Sequence, residues 1–436
     1  RGGGAGSGAR FLARGLGGPS LTVAAGGAVG HARRGGRLFP RGAGVGIVGA
    51  MTTPSPFAPH LVHALDPPIM EARSWLHGKT FPEARPLINL SQAAPAEPPP
   101  EALREAMAKA VRDDPEAQLY GPVLGDPPLR EEIAAQWSAA YGGDVRAADV
   151  AVTAGCNQAF CAAMATLAGP GDAVLLPYPW YFNHKMWLDM AGVETRPLPC
   201  LPDMTPDLGA AEALMADGRA TAIVLVTPNN PTGAEYPAGL VEAFHGLAER
   251  HGAALVMDET YRDFDGREGA PHGLFARPDW RDRVIQLYSF SKAYRLTGHR
   301  CGAMVASPER IARAEMWLDT VTFCAPRLGQ IAALHGLREL SGFVAGQRED
   351  ILARRAVIED EARQALPGWQ VLGAGAYFAY LRHPFEAPSP AVAKALVDEQ
   401  SLLLLPGTMF CPEGDALGER TLRMAFANEG PEGLRE

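Results

Sequence analysis

Between residues 149 and 306 the chain alternates short, mostly apolar runs with stretches of helical periodicity. The apolar runs are DVAVTAG (149–155), AVLLP (173–177), VETRPL (193–198), TAIVLVTP (221–228), AALVMDE (253–259), VIQLYS (284–289) and CGAMVA (301–306). Each is of strand length, and a nearly continuous apolar strand is one buried on both faces. In the gaps between them, helices are predicted over 157–167, 183–191 and 237–251. The pattern is that of an α/β fold with a mainly parallel central sheet in a three-layer αβα arrangement. In such sheets ligands sit beyond the carboxyl ends of the strands.

The flanking regions read differently. Residues 51–101 are proline-rich, with one short helical stretch at 69–76 and an extended segment leading into a helix at 100–111. A helix at 128–141 sets Leu129, Ile133 and Trp137 on one face. After Pro308 the chain is helical to about residue 366, with breaks at Pro326 and Gly342. WQVLGAGAYFAYLRH (369–383) through LRMAFAN (422–428) then reads as a small α+β unit. No internal repeat is visible.

Composition narrows the function. A chain of 436 residues is long enough for two domains, and its 20% charged and 47% hydrophobic residues are ordinary for a globular protein. A formal net charge of -9 argues against a nucleic-acid partner. No apolar run reaches the length needed to cross a bilayer. Six cysteines are scattered without CxxC or zinc-type spacing, so no metal site is expected and they read as reduced residues of a cytoplasmic enzyme. Residues 1–50 carry seven arginines, no lysine and no acidic residue among many glycines and alanines. This Gly/Arg-rich leader cannot build a core and is expected to be disordered, outside the fold.

The candidate chemistry lies at strand ends. Between VIQLYS and CGAMVA a polar connection holds Lys292, with Ser289, Ser291 and Arg300 around it. A lysine at a core strand end is costly unless paired or neutralised, and condensation with an aldehyde avoids much of that cost. Two hydroxyls and a guanidinium suit a phosphate dianion, so the group points to pyridoxal 5'-phosphate (PLP). Taken alone, the same stretch also reads as a polar hairpin with a surface lysine. Four other strand ends change that balance. Gly155, Cys156 and Asn157 open a helix where backbone N–H groups can meet a phosphate. Tyr181, in PYPWYF, offers a ring to stack on a planar cofactor. Asn230, in TPNNPTG, can donate to a ring oxygen. Asp258 needs a positive partner, which a protonated pyridine nitrogen would be, and Tyr261 follows three residues later.

With those residues in place, the chain from about 67 to 428 resembles the class I/II (fold type I) PLP-dependent aminotransferases, the aspartate and aromatic aminotransferase superfamily. The most specific parts are NNPTG (229–233), the Asp258–Tyr261 pair and SFSKAYRLTGHR (289–300). The resemblance implies an enzyme that moves an amino group from an L-amino acid to a 2-oxo acid by a ping-pong mechanism. It implies Lys292 as the Schiff-base lysine and proton carrier, Asp258 as the partner of the pyridine nitrogen, and Asn230 and Tyr261 as donors to the ring oxygen. Ser289, Ser291, Arg300 and the amides of Cys156 and Asn157, beside Gly155, would hold the phosphate. Tyr181 would stack, and Arg423 would bind the substrate α-carboxylate in a pocket shared with Asn230 and Ala93. Tyr120 would reach the phosphate of a partner subunit, so a homodimer is implied.

The implied domains are 51–100 as a segment joining the small domain, 101–325 as the large PLP-binding domain and 326–436 as the small domain. Two departures stand out: Ala93 where relatives often have glycine, and a stop soon after Arg423 that reads as a truncation. The alternative reading is a PLP-dependent C–S (beta) lyase on the same fold, which would use the same lysine and aspartate. Arg327, in CAPRLGQ, reads as a structural ion pair, with recognition of a substrate carboxylate as its alternative. Tyr120, Trp180 and Tyr181 would tolerate aromatic or methionine-like substrates.

Overall fold

The apolar runs do become a sheet. In a computed structural model, which describes residues 59–62, 64–364 and 368–435, seven strands form one sheet. They are β1 (Val150–Thr153), β2 (Ala173–Tyr178), β3 (Glu194–Pro199), β4 (Ala220–Val226), β5 (Ala254–Asp258), β6 (Val284–Ser289) and β7 (Gly302–Val305). Their order is β1-β7-β6-β5-β4-β2-β3, parallel throughout except that β7 runs antiparallel to both its neighbours. The connection from β6 to β7, residues 290–301, makes this reversal. The leader expected over 1–50 lies outside the described residues.

Helices cover both faces of the sheet, which explains why its strands are apolar on both sides. The helix at Pro127–Tyr141 begins with proline at its first turn and ends where Gly142 adopts a left-handed φ of 63°. Its face of Leu129, Ile133 and Trp137 is buried against the sheet core, as the spacing predicts. The predicted helices at 157–167, 183–191 and 237–251 are found at Cys156–Ala165, Phe182–Ala191 and Ala238–Arg250. A helix at Leu208–Met215 was not anticipated, although Asp207 caps it by accepting from the amides of Gly209 and Ala210. The long helical region runs as Pro308–Val321, Arg327–Glu339 and Ser341–Gln364. Its second break falls at Leu340, not at Gly342, which the last helix absorbs in its first turn.

A second sheet is antiparallel. Strands β8 (Gln370–Gly375), β9 (Phe378–Arg382), β10 (Leu405–Pro406) and β11 (Thr421–Ala425) lie in the order β10-β11-β9-β8. Arg423 is therefore on an inner strand, opposite Tyr380 on one side and Leu405 on the other. Ile88–Asn89 pairs in parallel with Leu402–Leu403, which ties the segment before residue 100 to this region. Among the described residues no helix is long and apolar enough to cross a membrane.

Candidate active site

Strand register brings the site together. In the central sheet Val226 pairs with Asp258, Asp258 with Leu287, and both Ser289 and Thr153 with Gly302. The carboxyl ends of β1, β4, β5 and β6 thus lie side by side with the start of β7. Residues at and just beyond those ends line one cavity of about 250 Å³. Its walls include Cys156, Asn157, Tyr181, Asn230, Asp258, Tyr261, Ser289, Ser291, Lys292, Arg300, Arg423 and Ala93.

Lys292 lies in the one-turn helix Phe290–Ala293 directly after β6. Its Nζ donates to the Ala93 carbonyl at 2.6 Å, so the N-terminal segment closes over the amine. Burial, then the positive charges of Arg300 and Arg423, lower the Lys292 amine to about 8. A lysine so placed is a free nucleophile over a larger share of the physiological range than an exposed one.

Asp258 ends β5 and is buried. Its Oδ1 accepts the Thr260 amide at 3.0 Å, and its Oδ2 lies 3.1 Å from His184 Nε2. Burial alone would raise the carboxyl pKa. The hydrogen bond and charge of His184, with donors from Thr260, outweigh it and hold the carboxylate below its usual range. The next residue, Glu259, leaves the cavity for a buried polar cluster, accepting Tyr141 O–H at 2.5 Å and Gln286 Nε2 at 2.9 Å.

At the other end, Ser289 Oγ accepts the Ser291 amide at 3.2 Å, and Arg300 donates to Ser291 Oγ at 3.3 Å and to the Thr297 carbonyl at 3.0 Å. Gly155 stands behind them with φ of 86°, and a Cβ there would run into the Arg300 guanidinium. Glycine is thus required twice over, by conformation and by space. Tyr181 precedes the helix Phe182–Ala191, and its hydroxyl donates to Asn157 Oδ1 at 3.2 Å. Tyr261 is buried, its ring centre 5.6 Å from Lys292 Nζ, and burial pushes its phenol up so that it stays a neutral donor. Arg423 donates to Asn230 Oδ1 at 3.2 Å and to the Ser91 carbonyl, with its guanidinium against Phe378 and Phe410. Burial lowers it to about 10, which leaves it a cation at neutral pH. Its Nε is buried without a partner.

The family profile described as aminotransferase class I and II matches residues 85–436. The chain belongs to that family. It is 29% identical to a valine–pyruvate aminotransferase of Mycobacterium tuberculosis over 351 residues, 80% of this chain and 88% of the relative. It is 30% identical to an arginine–pyruvate transaminase of Pseudomonas aeruginosa over 322 residues, covering 73% and 80%. Among solved structures, Thermus thermophilus aspartate aminotransferase with maleate superposes with a TM-score of 0.78 at 25% identity, over 87% of this chain and 97% of that one. The fold is accordingly fold type I, and the reaction is amino-group transfer between an amino acid and a 2-oxo acid, as expected from the sequence.

Membership of the aminotransferases implies PLP, and the residues present fit it. A carboxylate kept charged, a lysine whose amine is lowered to about 8 and a cradle backed by Gly155 beside Arg300 are the donor set that a pyridinium, an aldehyde and a phosphate require.

Several features lay beyond sequence reasoning. His184 was given no role, yet its ring stacks on Phe160 at 3.8 Å between centres, with the Tyr181 ring edge-on at 5.0 Å. The only linear signal was a histidine three residues past the stacking tyrosine, on the same helix face. Thr260, Gln92, Ala94, Ile69, Phe182 and Asn183 also line the cavity. Tyr120 is absent from that wall in the single chain: it is 81% exposed, its ring 4.7 Å from that of Phe323. Arg327 pairs with Asp126 at 3.0 Å, the structural role expected of it.

Proposed function

We propose that Lys292 binds the PLP aldehyde and that its amine, once displaced by the incoming amino acid, carries the substrate α-proton. PLP supplies the electron sink that makes that proton removable. In this reading Asp258, oriented by His184 and Thr260, keeps the pyridine nitrogen protonated. Asn230 and Tyr261 donate to the ring oxygen, and Tyr181 stacks on the ring. Ser289, Ser291, Arg300 and the amides of Cys156 and Asn157 hold the phosphate. Arg423 clamps the α-carboxylate of each substrate in turn, which fixes the α-carbon near Lys292. Ala93 turns its carbonyl toward Lys292 and bounds the substrate side of the pocket.

One observation carries the reading: Lys292, Asp258 and Arg423 come from distant parts of the sequence and share one cavity. The reading also makes the enzyme a homodimer. Tyr120, Leu119 and Phe323 are 81%, 56% and 45% exposed, an apolar surface that a second copy would cover, leaving Tyr120 to reach the partner's phosphate site. All six cysteines are free, in keeping with a cytoplasmic enzyme. Two relatives are named for pyruvate, which makes pyruvate the first acceptor to try.

The test is a half-reaction. PLP-loaded protein given an L-amino acid alone is expected to lose its visible absorbance and to release one 2-oxo acid per pyridoxamine phosphate formed. Catalytic release of pyruvate and ammonia from a cysteine conjugate, with no pyridoxamine phosphate, would mark a lyase instead.

A further inference from the structure

The lining of the cavity divides by chemistry. Once the groups assigned above to the cofactor and the α-carboxylate are set aside, seven lining residues remain: Val226 at the end of β4, and Ile69, Gln92, Ala93, Ala94, Phe182 and Asn183 away from the strand ends. None is charged. Both lining guanidiniums are engaged elsewhere, Arg300 on Ser291 and the Thr297 carbonyl, Arg423 on Asn230 and the Ser91 carbonyl. Arg73 does not line the cavity; its Nη2 donates to Gln92 Oε1 at 2.8 Å.

The apolar part of this wall is built, not incidental. Ile69 lies on the helix Pro68–Ser74, whose Ala72 is buried in an apolar cluster with Phe182, Leu403, Leu405 and Phe410. Ile69 packs against that same cluster, beside Tyr181 and Met186. One face of the helix thus seats it while Ile69 reaches the cavity.

We propose that Ile69 is a specificity-determining residue and that the site takes amino acids with uncharged, apolar side chains of about leucine or methionine size. The inference rests on the aminotransferase reading and deepens it. A side-chain carboxylate held there would meet only the carboxamides of Gln92 and Asn183 among an otherwise apolar wall, with no cation of this chain to balance its charge. An aliphatic or thioether side chain there gains contact area and loses no hydrogen bond.

The test uses the PLP-loaded enzyme with pyruvate as acceptor and L-leucine, L-methionine, L-alanine, L-aspartate and L-glutamate as donors. We expect kcat/KM for L-leucine or L-methionine to exceed that for L-aspartate and L-glutamate by at least about tenfold. In Ile69→Ala the ratio of kcat/KM for L-leucine over L-alanine falls about tenfold. A wild-type preference for the dicarboxylates overturns the proposal while leaving the aminotransferase reading intact. So does an unchanged leucine-to-alanine ratio in Ile69→Ala. Failure of every donor to change the cofactor's absorbance overturns both.

Discussion

The two ends of the cavity are made by different kinds of structure. The inner end is formed where four parallel strands stop in register, so Asp258, Ser289, Lys292 and the Gly155–Asn157 turn are fixed by the sheet's own hydrogen bonds. The outer end is formed by a short helix at Pro68–Ser74, the loop carrying Gln92 to Ala94 and the start of the helix at Phe182–Ala191. These are joined to the rest by side-chain packing and a few loop contacts, such as Lys292 to the Ala93 carbonyl and Asn428 to the Ala94 carbonyl. On the proposed reading the inner end holds the cofactor chemistry, and the outer end meets the substrate side chain. Arg423 is the exception: proposed to hold the substrate, it comes from an inner strand of the second sheet.

Substitutions at the inner end should abolish or slow turnover for every donor, whereas those at the outer end should change which donor is preferred. Lys292→Ala is the severest case. It is expected to lower kcat by at least about 10³-fold for all donors alike, because among the described residues no other lysine lines the cavity to move the proton. Stopped-flow or steady-state rates on leucine and alanine would check this, and a donor-dependent loss would blur the division. Arg423→Ala comes next. The KM for amino acids should rise about 10- to 100-fold with a smaller change in kcat, since the lost contact is to the α-carboxylate shared by all substrates.

His184→Gln removes the partner that holds the Asp258 carboxylate low, so kcat/KM should fall on the acid side, by about tenfold per pH unit below the raised pKa. Because the Asp258 pKa is depressed, its charge persists below the usual carboxylate range in the wild type and is lost at higher pH in the variant. The acid limb of the pH–rate profile should therefore move up in pH. Smallest is the effect of pH on cofactor capture by the apo-protein. The Lys292 amine titrates at about 8, so it is protonated and unreactive below that value and free above it. The rate of PLP incorporation should fall about tenfold per pH unit below that point and level off above it.

The same division explains what could be read from the sequence. Asp258 and Lys292 were legible because one ends an apolar run of strand length and the other follows such a run by three residues, and a charge at such a place has few bland explanations. The antiparallel turn of β7 left no clear mark on the apolar pattern. His184 was not legible as a partner of Asp258, since 74 residues separate them and only the packing of one helix on Phe160 brings the ring there. Ile69 was still further out of reach. Its segment is proline-rich and weakly periodic, and its neighbours Phe182, Leu403 and Phe410 come from across the chain. The helix at Leu208–Met215 did carry a signal, the capping Asp207 ahead of LGAAEALM, which a closer reading of caps would have used.

The account stands or falls on the covalent role of residue 292. PLP-loaded protein should be reduced with borohydride, digested, and mapped by mass spectrometry. A phosphopyridoxyl group on Lys292 and on no other lysine is the predicted result. An unmodified Lys292, with the label on another lysine or on none, would contradict it.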